Sequence, residues 1–242
     1  MLSPKTTQAS SSSNHEIFDA QVLNVRMLQS TWTQIKRSIN QAYKRGDEPF
    51  ANIQTKVLAL VFCAYSEALF SKLLHTPNAL SIAQIKQIQK SGKNNISRAW
   101  IKCIQIATSR IDGGKGNHVP NLRKRLGDFV LKYVSNPSHV RNKVAHGQWV
   151  VALNSGGTAV NETLTTQLRE LDIVKIEKMH HAFMSFISIM DNIIASPNKA
   201  HWKFYWDHIA EYESKQQEMA NWKLADKISA MNAKYARKKS AI

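Results

Sequence analysis

The stretch IFDAQVLNVRMLQSTWTQIKRSINQAY, residues 17–43, carries apolar side chains at Phe18, Val22, Val25, Leu28, Trp32, Ile35, Ile39 and Tyr43. The steps are three and four throughout, which matches the turn of an α-helix and not the two-residue alternation of a strand. A helix with one apolar stripe must bury it against another element. The neighbouring sequence supplies further helices to receive it. Gly46 suits the helix end, and Pro49 suits the start of the next segment.

That segment, about Phe50 to His75, is apolar on nearly every side, as expected of a central buried helix. Ser66 and Glu67 interrupt it. A buried carboxylate is costly unless paired, which leaves two readings of Glu67. Either it lies at the wet edge of the helix, or it faces a polar cleft and orients a cation. Pro77 breaks the chain, and two shorter helices follow, about Ser81 to Lys90 and Ile96 to Ile111. DGGKGNHVP, residues 112–120, reads as a loop. Its GGKG lacks the spacing of a phosphate-binding P-loop. A helix from about Asn121 to Val134 opens with Arg123, Lys124 and Arg125. Such a run is usually a solvated face, but a groove for an RNA backbone is the functional alternative.

Pro137 then resets the backbone. Ser138 is placed to cap a short helix that Val140 and Val144 would bury, and Gly147 stops it. QWVVALNSGGTAVNETLT alternates and is β-branched around an NSGGT turn, so a β-hairpin is expected over about 148–164. Asp172 can cap a long helix with core positions Ile176, Met179, Phe183, Ile187, Met190 and Ile194, stopped by Pro197. A C-terminal helical extension, about 199–242, begins with Trp202, Phe204, Tyr205 and Trp206 and fades into the charged KYARKKSAI. At helical spacing such aromatics more often pack than stack on bases. The expected architecture is all-α: a polar, disordered tail over 1–15, then a single helical domain over 16–242 with one inserted hairpin.

Composition narrows the function classes. Of 242 residues, 33 are Lys or Arg and 17 are Asp or Glu, a net charge of +16. So basic a surface expects a polyanion, either nucleic acid or an anionic membrane. Nine glycines and six prolines are too few for a sandwich, a barrel or a disordered chain. Cys63 and Cys103 form no CxxC and read as reduced core thiols of a cytoplasmic protein. MLSPKTTQASSSSNH has no apolar core of a secretory signal. The apolar run Val57 to Ala64 is too short for a bilayer, so a soluble protein is expected. No Cys/His cluster suggests zinc, no carboxylate pair suits a two-metal nuclease, and no cofactor is implied. His180 and His181 face different ways on a helix. His75, His118 and His139 lack ligand-like spacing, although His139 precedes Arg141 by two residues and can line the same cleft. His201 and His208 sit beside aromatics as packing or hydrogen-bonding residues.

The chemistry-bearing stretch is SHVRNKVAHGQW, Ser138 to Trp149. Arg141, Asn142 and His146 spell R-N-x-x-x-H. On a helix Asn142 and His146 share a face. Arg141 points about 100 degrees away from Asn142, but its length allows it to curl back. By average residue usage the pattern arises by chance in roughly one chain in a hundred of this length.

RNKVAHG resembles the signature of the HEPN superfamily, helical bundles with an R-x-x-x-x-H motif and most often a polar residue after the arginine. The resemblance spans about Phe18 to Ile194 and is strong only around the motif. It implies metal-independent endonucleolytic cleavage of RNA. Arg141 and His146 would be catalytic, and Asn142 would fix the histidine ring or bind a phosphate oxygen. Apart from the resemblance, the placement of Ser66, Glu67 and His139 in the sequence makes them candidates to support these residues. The residue types suit that chemistry. RNA supplies its own nucleophile in the 2′-OH, a near-neutral imidazole moves protons, and a guanidinium holds a charged phosphoryl transition state with paired N–H bonds. The resemblance also implies a homodimer with a composite site, and a toxin or phage-defence role with an antitoxin or defence-system partner. The alternatives are a non-catalytic HEPN module that binds RNA or a partner protein, and a helical structural subunit whose basic surface docks on nucleic acid.

Overall fold

The computed structural model describes residues 5–93, 95–112 and 116–239, with side chains described for 14–93, 95–112 and 116–234. Ten α-helices form among them: α1 (Lys5–Lys44), α2 (Glu48–Leu74), α3 (Ile82–Ser91), α4 (Ile96–Thr108), α5 (His118–Val130), α6 (Asn136–Ala145), α7 (Glu162–Arg169), α8 (Ile173–Ala195), α9 (Ala200–Ala220) and α10 (Leu224–Lys239). The all-α expectation holds.

α1 starts at Lys5, inside the stretch assigned to a polar tail. Once a downstream nucleus exists, each further residue adds one hydrogen bond at little cost. The single C-terminal extension is two helices, α9 and α10, with a break over 221–223. Part of the 112–120 loop, residues 113–115, lies outside the described residues. α2 corrects the reading of the apolar run. By length and composition it would suit a membrane span, and 56% of its most apolar window is buried within the fold.

The chain makes two compact units. Their boundaries fall inside α1, α2, α8 and α9 and at the start of α6, not in linkers, so no linker composition announces them. The first unit takes the chain up to Met27, Tyr65–Asn136 and Ala182–Glu213. Its helices are set by local signals. Ser81 and Gln84 form a capping box at the start of α3, and the Asn95 side chain accepts the Ser97 N–H at the start of α4. Trp100 is fully buried at its centre, 4.2 Å from Phe70 and 4.8 Å from Phe186 between ring centroids. Cys103 lies in the same core, where burial pushes its thiol up to about 12 and makes it unreactive.

The second unit takes Leu28–Ala64, Pro137–His181 and the chain from Ser214. Trp32 of α1 stacks on His180 of α8 at 4.4 Å, with Phe62 packed against both. Glu177 is buried and bridges two lysines, Lys36 at 2.7 Å and Lys227 at 2.7 Å. Asp172 caps α8 as expected, accepting the Lys175 N–H at 2.8 Å.

The β-hairpin does not form. Among the described residues there is no strand, only one antiparallel bridge between Leu153 and Val160. The second arm turns helical at Asn161, whose side chain accepts the Leu164 N–H and starts α7. Two backbone bonds flank that bridge, the Asn154 N–H to Ala159 O at 2.8 Å and the Asn161 N–H to Ala152 O at 2.7 Å. The ladder goes no further, because the Ala152 N–H that would return a bond to Asn161 donates to Thr165 Oγ1 at 3.0 Å, while the outward-facing Leu153 N–H donates to Gln148 Oε1 at 2.7 Å. β-branched alternation reports only a fit to a pleated surface. Here only Trp149, Ala152 and Leu164 of the two arms join a small cluster with Val140, Val144 and Leu168, and Val150, Val151 and Val160 are left exposed.

Candidate active site

α6 carries the R-N-x-x-x-H motif and opens differently from expectation. Ser138 is not its N-cap. The chain stays helical from α5 through a π turn at Leu131–Ser135 and enters α6 at Asn136. Pro137 is the cause. It has no N–H for the carbonyl four residues back, and its ring clashes there in a regular α turn. The wider π turn relieves this, and the Asn136 N–H bonds Leu131 O, five residues back. The Pro137 carbonyl accepts from Cys63 Sγ at 3.8 Å.

The far end of α6 closes as expected. Gly147 takes φ +79°, the Gln148 N–H reaches Lys143 O at 2.9 Å, and the Gly147 N–H reaches Val144 O at 3.1 Å. This pair of bonds is a Schellman motif and makes His146 the C-cap. The helix is therefore held in register from both ends. Its buried face is Val140 and Val144, packed with Leu60, Trp149, Leu164 and Leu171. Lys143 donates its ammonium to the Leu153 carbonyl and ties the following loop to the helix.

His139, Asn142 and His146 are exposed and recur at i, i+3 and i+7, so they form one stripe on the solvent face of α6. Arg141 is half-buried at the flank of that stripe, with its Nε enclosed. The structure thus gathers Arg141, Asn142, His146 and His139 on one short helix that continues the π turn at its start and is capped at its end. Within one chain this face is an open surface. The two clefts of greatest interest, about 750 and 380 Å³, are lined by other residues.

The supporting residues divide. Ser66 and Glu67 belong to the first unit and the motif to the second. Ser66 is buried and Glu67 exposed, which fits the wet-edge reading of Glu67. The basic run also lies in the first unit and splits by role. Arg123 is engaged structurally, donating Nε to Thr108 Oγ1 at 2.7 Å. Lys124 is exposed. Arg125 is partly exposed and pairs loosely with Glu213 at 3.4 Å.

Sequence reasoning missed a pairing of histidines in the first unit. His118 and His201 stand 83 positions apart, yet their Nε2 atoms are 3.0 Å from one another. Burial lowers both, His201 to about 4 with the neighbouring His118 adding to the effect. No local signal could have joined them, because no short spacing relates the two. Among the described residues no group of three or more His, Cys, Asp or Glu side chains is placed to hold a metal ion. Comparison with protein-family models, with curated proteins and with solved structures finds no match to this chain.

Proposed function

We propose that the chain is a metal-independent RNA endonuclease of HEPN type that cuts through the 2′-OH with Arg141 and His146. One observation carries the reading: Asn142 and His146 share the solvent face of a helix whose two ends are fixed and whose opposite face is buried, with Arg141 at its flank. A proton-transfer group is held in place and left open to a polyanion. The net charge of +16 supports an anionic substrate.

The residues supply what the step requires. An imidazole takes the 2′-OH proton as the 2′-oxygen attacks phosphorus. The bond from phosphorus to the 5′-oxygen breaks, and that oxygen leaves with a proton from a second acid. The products are a 2′,3′-cyclic phosphate, or its opened form, and a 5′-hydroxyl. A homodimer that apposes the two α6 faces would supply both groups as His146 of each copy. It would also enclose a face that is open in one chain. Arg141 would hold the phosphoryl oxygens, and Asn142 would orient the neighbouring ring or bind a phosphate oxygen. In a cell such an activity suits a toxin or phage-defence effector restrained by an antitoxin or defence partner.

The openness of the motif face in one chain supports a second reading, a non-catalytic HEPN module in which the stripe binds RNA or a partner protein. One experiment separates the two: purified protein and total RNA in excess EDTA, wild type beside His146→Ala, with fragment ends mapped. Cleavage by the wild type alone, leaving cyclic or 3′-phosphate ends, is expected. Equal RNA binding with no cleavage by either protein would favour the binding module.

A further inference from the structure

A second feature of the molecule lies in the first unit and has no part in the motif chemistry. A cleft of about 750 Å³ is lined by Asn117, His118, Asn121 and Arg125 of the α5 side and by Trp202 and Trp206 of α9, over a floor that includes Tyr205. Its volume falls in the range of sites that hold one small molecule or one nucleotide. The walls are aromatic. Trp202 and Trp206 are one helical turn apart, 37% and 64% exposed, with Phe204 between them also 37% exposed. Three large aromatic side chains left in water within five residues is an unusual expense of apolar surface for a folded chain.

The cleft is also fixed in shape. The His118 ring lies on Trp202 at 4.6 Å between centroids and meets Tyr205 edge-on at 5.4 Å. Its Nε2 is tied to His201, which is 1% exposed. His201 Nδ1 is buried with no hydrogen-bond partner among the described residues. Buried orphan donors are rarer than orphan acceptors, so the favoured arrangement has His201 donate through Nε2 and keep a bare Nδ1. His118 then accepts at Nε2 and carries its proton on Nδ1, a donor on the ring that lines the cleft. The Asn117 side chain does not cap α5 and is exposed, and Asn121 is its neighbour one turn on. Arg125 is the one charged lining residue among the described residues, and its exposed ion pair with Glu213 is of the kind that a phosphate displaces at little cost.

We propose that this cleft is a stacking site for an unpaired base of single-stranded nucleic acid, with Trp202 and Trp206 against the base, the asparagine amides at its edge and Arg125 on the adjoining phosphate. Every base has a π-face, so flat indoles serve any sequence. A cation beside them supplies the backbone contact. Among the described residues the lining holds no carboxylate, and the nearby Glu213 is paired with Arg125. The site would hold a strand independently of any cleavage.

The test is fluorescence anisotropy of a labelled 12-mer with full-length protein, using single-stranded RNA, single-stranded DNA of the same sequence and a blunt duplex. His146→Ala is the common background, so the probe stays intact whether or not the motif cuts. Trp206→Ala should weaken single-strand binding by roughly 5- to 100-fold, remove the preference over duplex and leave the salt slope unchanged. Trp206→Phe should retain most of the affinity. Arg125→Gln should lower the salt slope by about 0.7. Wild-type affinity in Trp206→Ala would overturn the proposal. So would unchanged affinity accompanied by loss of a dimer in sedimentation, which would make the aromatic face a protein interface. A difference between the RNA and DNA arms identifies which strand the site takes.

Discussion

Gly147 shows what a single residue contributes beside the motif. Its φ of +79° lies where a side chain is strained, and a Cβ there would meet nothing within 4 Å. The cost of Gly147→Ala is therefore backbone strain alone, about 1–2 kcal/mol. A matching drop in the free energy of unfolding by urea is expected, with an unchanged m-value. The glycine was legible as a stop because left-handed helix ends strongly favour it. The motif was legible for the same local reason: Asn142 and His146 are helical neighbours whatever the rest of the chain does. Glu177 was not legible. It is one of several polar positions on α8, and its lysines, Lys36 and Lys227, come from distant parts of the chain. Nothing in the order of residues announces a buried carboxylate held between two cations.

At the scale of elements, sequence patterns succeeded where one period ran long and failed where two short signals competed. The stripe of α1 and the core positions Ile176, Phe183, Met190 and Ile194 of α8 are buried or half-buried as the three–four spacing requires. The segment 148–164 instead offered β-branched alternation against an asparagine cap and an apolar i, i+4 pair, Leu164 and Leu168. The helix won because its apolar face joins the cluster under α6 while side chains satisfy the amides of the first arm. Thr165 is the crux of that arrangement, 1% exposed and accepting the Ala152 N–H. Thr165→Val keeps the shape and removes the acceptor, leaving a buried donor unsatisfied. A loss of about 1–3 kcal/mol in urea unfolding is expected, against a change within about 0.5 kcal/mol for an exposed control such as Glu162→Gln. If Thr165→Val matched that control, side-chain capture of the amide would not be what suppresses the hairpin. Pro137 is the other element-scale surprise. Prolines usually end helices, and the chain instead absorbs this one in a π turn, an outcome that depends on the packing of Tyr133 and Val134 into the first unit.

Across the whole molecule, histidines make stability depend on pH, and each compact unit contains one strongly perturbed ring. In the second unit burial, helped by His181 and Lys36 and opposed by Glu177, brings His180 from its ordinary 6.5 to about 4. In the first unit burial and His118 bring His201 to about 4. A base whose folded value is depressed binds fewer protons folded than unfolded. The unfolded state therefore gains protons first as pH falls through 6.5, and stability drops until the folded state also titrates near 4. For His180 the span corresponds to a loss of up to about 3 kcal/mol. Glu177 adds to the effect at lower pH. Burial pushes its carboxyl up, but the hydrogen bonds and charges of Lys227 and Lys36 together bring it below the usual carboxylate range. Its contribution is present above that range and is lost as pH falls through its lowered folded value. Urea midpoints should be flat from pH 8 to 7 and fall steadily between 6.5 and 4. His180→Phe keeps an aromatic ring against Trp32 and cannot take up a proton, so it should reduce the slope in that window without lowering stability at pH 5. A slope unchanged in His180→Phe would mean that the acid sensitivity lies elsewhere. Because the two rings lie in different units, His180→Phe should leave the His201 share of the slope intact, and the double variant with His201→Phe should reduce the slope further, leaving the shares of His118, His181 and Glu177.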